Sequence, residues 1–132
     1  MREYIAVLVG GGIGAAARYG TIQLAQAIGT LPFPAGTFCV NALGSLVIGV
    51  LFSIFESPHV PGGLRLFLIS GFLGGYTTFS SYALETIRLF LTGQVKQALL
   101  NILVHNLAGM VLVVLGIWLG KTLSSLVSGL IP

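Results

Sequence analysis

Residues 74–82 read GGYTTFSSY, and this stretch decides how the chain folds. Two glycines precede a segment in which four of five residues carry hydroxyl groups. The neighbouring segments, LFLISGFL before it and ALETIRLF after it, are largely apolar. Glycine leaves the backbone free to unwind, and hydroxyl groups bond to backbone groups that an interrupted helix leaves free. The pattern therefore predicts a helix that is interrupted in the middle of an otherwise apolar stretch.

The composition places the whole chain in a membrane. Of its 132 residues, 55% are hydrophobic and 7% are charged, and the mean hydropathy is +1.02. A soluble domain carries about 25% charged residues, so this chain could not form a water-facing surface. Its single cysteine, Cys39, excludes an intrachain disulfide, and its histidines show no metal-site spacing. The net charge of +3 comes from scattered residues, so nucleic acid is not expected as a partner.

Four apolar stretches are long enough to cross a bilayer, which takes about 20 helical residues. They cover residues 4–28, 34–55, 64–90 and 98–119. The segments between them, TLPFP, ESPHVPGG and LTGQVK, carry Pro or Gly where helices end. We interpret the first stretch as a span and not a signal peptide, because its apolar run continues past Arg18. The prediction is an all-α integral membrane protein, with residues 1–132 forming one four-span domain.

Lysine and arginine are divided almost evenly between the two sides of the membrane. One side holds Arg2, Arg65 and Lys121. The other side holds Arg88 and Lys96, and also Arg18 if the end of the first span is counted there. Orientation normally follows Lys/Arg asymmetry in short loops, and here the asymmetry is nearly absent. The chain is therefore expected to insert both ways and to form an antiparallel, dual-topology homodimer. The alternative is one orientation set by a small bias.

Small residues four positions apart predict close helix packing. The pairs are Gly10 and Gly14, Ser45 and Gly49, Gly71 and Gly75, and Gly116 and Gly120. Such pairs place one small residue above another on a helix face, so that a second helix can approach closely. With 19 glycines in the chain, some of these spacings arise by chance. They predict tight contacts without identifying the partner helix.

Polar side chains recur at helical spacing inside the predicted spans. Thr78, Ser81 and Glu85 form one stripe, and Asn101 and His105 share a face of the fourth span. The remaining members of the set are Asn41 in the second span and the aromatic pair Phe79 and Tyr82 in the third. Polar groups in lipid usually face a bundle interior or a wet cavity. These stripes predict a narrow polar path, although a helix-to-helix hydrogen bond is the alternative for each amide.

The interruption itself would free backbone groups that can bind an ion. Broken backbone is tolerated at membrane depth only where it is buried in protein or lines a cavity. A half-helix that begins after the break points its positive end inward, and unwound carbonyl groups can hold a cation. The alternative is an unbroken helix in which each hydroxyl bonds to its own i−4 carbonyl. No catalytic arrangement accompanies these groups, so an enzyme is not expected.

The sequence resembles the Fluc (CrcB) family of bacterial fluoride channels over essentially its whole length. The resemblance is carried by GGGIGAAARY at 10–19, GTFCVNALGS at 36–45 and GFLGGYTTFSSYALE at 71–85. It implies an antiparallel homodimer with two fluoride pores and a structural sodium ion at the dimer axis. It also implies passive fluoride efflux across the inner membrane, with membrane lipid and a second copy as the other partners.

The resemblance also assigns roles to individual residues. It implies that backbone carbonyls of Gly74 and Thr77 hold the sodium ion. The implied pore residues are Asn41, Phe79, Ser80, Ser81, Tyr82, Glu85, Asn101 and His105, to which the hydroxyl stripe adds Thr78 and the first span adds Arg18 as a further polar residue. Two positions depart from the family pattern. Tyr82 stands where relatives usually carry Phe, and Asn101 and His105 stand where they usually carry Tyr and Ser.

These groups suit a small, strongly hydrated anion. Amide and hydroxyl donors on Asn41, Thr78 and Ser81 can replace the hydrogen bonds of water, and aromatic rims carry partial positive charge. Glu85 is either protonated by desolvation or paired with a cationic group, and the sequence leaves both open. Three other readings also remain: a small multidrug-type proton antiporter, proton-coupled fluoride export, and a packing subunit of a larger complex. The antiporter would require a carboxylate within the first span, which instead carries Arg18.

Overall fold

The computed structural model describes residues 1–29, 34–56 and 60–130, with side chains through residue 126. These residues form helices and, within that part of the chain, no strand. The elements are α1 (Arg2–Ile28), α2 (Ala35–Ile54), α3 (Gly62–Arg65), a π-helical segment (Leu66–Leu73), α4 (Gly74–Tyr76), α5 (Phe79–Leu91) and α6 (Val95–Leu130). The predicted joints at 30–33 and 57–59 lie outside the described residues.

The elements run alternately up and down. Asn41 of α2 meets Thr78, and Thr37, one turn earlier, meets Glu85, so α2 is antiparallel to α5. Thr86 of α5 meets Asn101 of α6, and Tyr82 meets Asn106 one turn further, so this pair is antiparallel too. The start of α1, the end of α2, the start of α3 and the end of α6 therefore lie at one end of the bundle.

The interior is as polar as it is apolar. The buried hydrophobic residues are Val40, Phe55, Leu73, Tyr76 and Ala98, and the buried polar residues are Thr37, Ser53, Thr78, Thr86 and Asn101. Large hydrophobic side chains cover the outside instead. In the described part of the chain three helices are long and apolar enough to cross a membrane, namely Arg2–Ile28, Ala35–Ile54 and the Val95–Leu126 part of α6. A polar interior with an apolar exterior is the arrangement expected of a chain surrounded by lipid.

α1 packs against the π-helical segment and α4 through facing glycines. A methyl group added at Gly10 would collide with the Phe67 carbonyl, and one added at Gly14 would collide with the Phe72 carbonyl. The backbones therefore approach each other more closely than any larger residue would allow. The predicted pair Gly10 and Gly14 thus has an identified partner, the start of the third predicted span.

α2 and α6 form the other tight contact, and these two helices run parallel. A methyl group at Gly49 would meet the backbone at Val113 and Gly116. Ser53, one turn further along α2, donates a hydrogen bond of 2.9 Å to the Ile117 carbonyl. This contact fixes the register of α6, and with it the height of its polar residues relative to α2.

α6 is longer than the predicted fourth span. It begins at Val95 and contains 36 residues, whereas the hydropathy pattern places a span at 98–119. At 1.5 Å per residue the helix is about 54 Å long, against a hydrocarbon core of about 30 Å. The sequence KTLSSLVSGL after residue 120 contains no proline, so nothing stops the helix where the apolar run ends.

The turn between α5 and α6 is set by Gly93. This glycine has φ 75°, the left-handed conformation that residues with a Cβ seldom adopt. Its N–H donates to the Phe90 carbonyl, and the next N–H, of Gln94, donates to the Leu89 carbonyl at 2.8 Å. These two bonds form a Schellman cap, which ends α5 and turns the chain back into α6.

Candidate functional site

Two extended residues separate α4 from α5. Thr77 has φ −78° and ψ 156°, and Thr78 has φ −148° and ψ 107°. They lie in the middle of GGYTTFSSY, between the glycines and the serines. In a continuous helix the Thr78 N–H would donate to the Gly74 carbonyl, and at this interruption it donates elsewhere.

Asn41 takes the backbone groups that the interruption releases. Its Oδ1 accepts from the Thr78 N–H at 2.8 Å, and its Nδ2 donates to the Thr78 carbonyl at 3.1 Å. One side chain of α2 thus satisfies both polar groups of an extended residue within the bundle. The amide has two N–H groups, so one donor of Asn41 remains for another acceptor.

The Thr78 hydroxyl caps the start of α5. It accepts from the Ser81 N–H at 3.3 Å, which satisfies one of the unpaired donors of the first helical turn. It also donates to the Ser81 hydroxyl at 3.0 Å and lies 3.4 Å from the Ser80 hydroxyl. The three hydroxyl groups form one cluster at a helix N-terminus, where partial positive charge accumulates.

Arg18 of α1 reaches the same interruption. Its Nη1 donates to the Thr77 carbonyl at 3.4 Å. Thr21, one turn further along α1, forms a 3.1 Å hydrogen bond with the hydroxyl of Tyr76. The extended residues are therefore held by α1 and α2 together, and a full positive charge lies close to them.

A cavity of about 410 Å³ opens beside the interruption. Six residues assigned to the site from the sequence line it, namely Asn41, Gly74, Thr77, Phe79, Tyr82 and His105. The others that line it are Gly44, Ser45, Ile48, Ile69, Leu73 and Asn106. Its wall therefore combines amides, hydroxyls, aromatic rings and one imidazole on an otherwise apolar surface.

The aromatic side chains of the cavity are in contact with one another. The ring centroids of Phe79 and Tyr82 are 5.5 Å apart, and those of Tyr82 and His105 are 4.5 Å apart. The Tyr82 hydroxyl accepts from Nδ2 of Asn106 at 3.2 Å, so its own O–H stays available as a donor. Phe79 is 78% exposed in a single copy of the chain, which leaves this side of the cavity open.

A second set of polar residues lies along the helices but does not line the cavity. The Thr37 hydroxyl donates to Oε1 of Glu85 at 2.7 Å, and Oε2 is buried with no hydrogen-bond partner among the described residues. Asn101 is fully buried and donates to the Thr86 hydroxyl at 2.9 Å. Of the residues assigned from the sequence, those outside the cavity wall are Arg18, Thr78, Ser80, Ser81, Glu85 and Asn101.

Sequence reasoning placed Asn106 inside the fourth span but assigned no role to it, and it missed Ser45, Thr37 and Thr86 as members of these polar groups. Ser45 could have been found from the spacing, because Thr37, Asn41 and Ser45 recur every four residues and share one face of α2. Asn106 follows His105 directly, and one residue later on a helix turns a side chain by about 100°. That turn brings it to the Tyr82 hydroxyl, a contact that depends on how α5 and α6 pack.

The backbone carbonyls at the interruption are chemically suited to a hard cation. The N–H that would pair with the Gly74 carbonyl bonds to Asn41, and Gly74 is exposed on the surface of the single copy. The Thr77 carbonyl receives the long bond from Arg18. Oxygen ligands are those that small hard cations prefer. Among the described residues no cluster of His, Cys, Asp or Glu offers an alternative metal site.

The fold and the site together define a multi-pass α-helical membrane protein with a polar cavity beside an interrupted helix. Residues 5–117 match the family model described as "CrcB-like protein, Camphor Resistance (CrcB)". The chain is 42% identical over 127 residues to a protein of Parabacteroides distasonis named "Fluoride-specific ion channel FluC", covering 96% of this chain and 99% of that one. This chain belongs to the CrcB family.

Two further relatives carry the same name. One, from Hydrogenobaculum sp., is 46% identical over 124 residues, which cover 92% of this chain and 99% of the relative. The other, from Pyrococcus furiosus, is 44% identical over 126 residues, which cover 92% of this chain and 98% of the relative. The similarity extends over nearly the full length of each protein, so it includes every element that builds the cavity.

Proposed function

We propose that the chain is a fluoride-specific ion channel, which lets fluoride leave the cell passively and so protects it against fluoride toxicity. The observation that carries this proposal is the cavity, where hydrogen-bond donors and aromatic rims lie together beside the interruption. The chain is also similar to proteins named as fluoride channels. Fluoride needs hydrogen-bond donors in place of water, and the Tyr82 O–H and the second N–H of Asn41 are such donors. The activity is that of a channel and not of an enzyme.

The route of the ion follows the cavity wall past Asn41, Phe79 and Tyr82 towards His105. The rims of the two aromatic rings carry partial positive charge that an anion can approach. The hydroxyl cluster of Thr78, Ser80 and Ser81 lies at the start of α5, and Glu85 follows one turn after Ser81. Asn101 and Arg18 are placed to support this route from α6 and α1, by holding Thr86 and the Thr77 carbonyl.

The functional unit of the proposal is an antiparallel homodimer in the inner membrane. Its third span, residues 64–90, would be interrupted mid-membrane at Thr77 and Thr78. Support comes from the even distribution of basic residues and from the exposure of Phe79, because a channel wall must be closed on all sides. A second copy related by an axis in the membrane plane would cover this side, and lipid would surround both copies.

A structural sodium ion at the dimer axis completes the proposal. The carbonyls of Gly74 and Thr77, with their counterparts from the second copy, would hold it. The ion would tie the two interruptions together through its positive charge and would not itself be transported. The guanidinium of Arg18 on the Thr77 carbonyl limits how fully that oxygen can face a cation, so the Gly74 carbonyl is the stronger ligand.

Fluoride efflux from liposomes holding the purified protein tests the proposal. We expect efflux with or without a pH gradient and no comparable efflux of chloride, while protein-free liposomes supply the background. A flux that requires a pH gradient would instead support proton-coupled export. Transport of organic cations in place of fluoride would support the multidrug-type alternative. Exhaustive replacement of sodium by a large organic cation should abolish efflux, and unchanged efflux would exclude the sodium site alone.

A further inference from the structure

The hydroxyl group of Tyr82 has one polar partner among the described residues, the side chain of Asn106. Nδ2 of Asn106, on α6, donates to the Tyr82 oxygen at 3.2 Å. Both residues line the cavity, so this hydrogen bond lies at the cavity wall, where it joins α5 to α6. It therefore connects a residue to which the sequence assigned no role with one of the proposed fluoride donors.

A second contact fixes which way the amide of Asn106 is turned. The same Nδ2 lies 2.7 Å from the carbonyl oxygen of Ile102, one turn earlier on α6. A backbone carbonyl oxygen only accepts hydrogen bonds, so the NH₂ group and not Oδ1 lies against it. With the amide reversed, two acceptor oxygens would face each other and this hydrogen bond would be lost. The Ile102 carbonyl therefore sets the amide so that Nδ2 reaches Tyr82 as a donor.

The direction of the Tyr82 O–H follows from the orientation of the amide. A phenolic oxygen both accepts hydrogen bonds and donates one. Because the N–H of Asn106 takes an acceptor position on this oxygen, the Tyr82 O–H cannot point at Asn106. No described residue accepts the O–H, which leaves it for an acceptor inside the cavity. If Asn106 presented Oδ1 instead, the phenol would donate to the amide and offer the cavity only a lone pair.

The ring of Tyr82 is held in place as well. The ring centroid of His105 lies 4.5 Å away at an interplanar angle of 32°, and that of Phe79 lies 5.5 Å away at 59°. These contacts and the hydrogen bond from Asn106 restrict both the ring and its hydroxyl group. A donor that is already restricted loses less conformational freedom when it binds an ion. The arrangement therefore favours binding at Tyr82 over binding at a freely rotating hydroxyl group.

Asn106 itself is not placed to bind an anion. The two N–H groups of its amide are directed to Ile102 and Tyr82. Its remaining polar atom, Oδ1, only accepts hydrogen bonds, and an anion has no hydrogen to donate to it. Any effect of the Asn106 amide on a passing anion is therefore exerted through Tyr82.

We propose that Asn106 is a positioning residue for fluoride: its N–H holds the Tyr82 oxygen as an acceptor, so that the Tyr82 O–H donates to the ion in the cavity. The inference rests on the proposed function, since the ion is the fluoride that the channel conducts. No covalent bond forms or breaks. Asn106 thus raises the affinity of this part of the cavity for fluoride without contacting the ion.

A double-mutant cycle on the full chain in proteoliposomes tests the inference. Asn106→Leu removes the amide at similar side-chain size, and Tyr82→Phe removes only the hydroxyl group. Fluoride efflux is measured over a range of fluoride concentrations for the unmodified protein, both single variants and the double variant. The quantity compared is the fluoride concentration that gives half-maximal efflux, which does not depend on how much of the protein is active.

Each single variant should raise this concentration by about three- to tenfold, the range expected for the loss of one hydrogen bond. The double variant should show no rise beyond that of Tyr82→Phe, because the amide has nothing to position once the hydroxyl group is absent. Asn106→Ala truncates the same amide and should match Asn106→Leu, so the test does not depend on the folding of one variant. The matched control is Gln94→Leu, which removes an exposed amide outside the cavity and should leave the concentration unchanged.

The results that contradict the inference are distinct from those that contradict the channel function. An equal rise on replacing Asn106 with and without the Tyr82 hydroxyl group would overturn the positioning role, because the amide would then act independently of Tyr82. An unchanged concentration in the Asn106 variants would overturn it as well, and in both cases the channel function would stand. Efflux from the unmodified protein no greater than that from protein-free liposomes would overturn the proposed function itself.

Discussion

At the scale of single residues, Asn41 connects the helix interruption to the cavity. Its side chain bonds to both backbone groups of Thr78, and the same residue lines the cavity wall. A substitution at this position therefore acts on the backbone and on the anion together. Ser45 lies one turn along the same face of α2 and lines the same cavity. Among the described residues its side chain forms no hydrogen bond with Thr77 or Thr78, so it provides a matched position.

Replacing Asn41 by Asp should reduce fluoride flux strongly. The carboxylate keeps an acceptor for the Thr78 N–H, but it loses the N–H donor and adds negative charge. At an effective dielectric constant near 20, two like charges 4 Å apart repel by about 4 kcal/mol, which corresponds to about a thousandfold lower anion entry. The measurement is fluoride efflux from proteoliposomes, with dimer content checked by size-exclusion chromatography.

Ser45→Asp separates the two roles of Asn41. It adds the same charge to the cavity wall without touching Thr78, so both variants should lose flux if the anion passes through the cavity. If Ser45→Asp conducts normally while Asn41→Asp does not, Asn41 acts only by holding the backbone. Normal conduction in both variants would mean that the ion takes a different route.

The positions of individual residues also show how far the sequence alone can predict the site. Helical spacing selected Phe79, Tyr82 and His105, Asn41 was selected as a polar residue inside the second span, and the structure brings all four to one cavity. Periodicity could not tell that Asn101, on the same face as His105, is fully buried against Thr86. Spacing fixes the face of a helix, whereas the choice between cavity and neighbouring helix depends on how deeply the two helices pack at that height.

At the scale of elements, the contact between α1 and the π-helical segment holds the third stretch of the chain in place. Gly10 faces the Phe67 carbonyl and Gly71, whereas Gly12, on the opposite side of α1, has no atom within 4 Å of an added Cβ. The two glycines are two residues apart in the sequence, but only Gly10 packs against another part of the backbone. They therefore form a matched pair for measuring how much this packing stabilises the protein.

Gly10→Ala should lower the free energy of unfolding by about 1–3 kcal/mol, the usual cost of adding a methyl group to a well-packed contact. Gly12→Ala should leave stability unchanged or raise it, since alanine is the better helix former. Thermal unfolding in detergent, followed by circular dichroism, compares the two variants with the unmodified protein. Equal stability of both variants would show that α1 does not pack on the π-helical segment at Gly10.

The sequence predicts the elements better than it predicts their ends. Hydropathy located the apolar helices because 20 consecutive apolar residues have few other stable arrangements. It did not locate the end of α6, because the polar residues that interrupt the apolar run after residue 120 still form a helix. Nor did it anticipate the π-helical turns at Leu66–Leu73, since their apolar sequence differs little from that of an ordinary membrane helix.

At the scale of the whole molecule, the proposed dimer rests on charge balance and on an open cavity. Three basic residues at one end of the bundle face two or three at the other, which gives the insertion machinery little bias. Phe79 is 78% exposed beside the exposed Gly74. One copy alone therefore leaves both the route of the anion and the interruption uncovered on the same side.

Adding lysines at one end should fix the orientation and abolish function. Thr122→Lys with Ser125→Lys adds two positive charges at the end of α6, and Thr92→Lys with Gln94→Lys adds two at the opposite end of the bundle. All four positions are exposed. Each double variant alone should insert one way and give no fluoride flux, because an antiparallel pair needs both orientations.

Co-expression of the two should restore flux, and one chain carrying all four lysines should again insert both ways. Labelling of a cysteine introduced near the N-terminus, in a Cys39→Ala background, reports the orientation. Full flux from a double variant that inserts in a single orientation would rule out the antiparallel dimer, because every active pair would then be parallel.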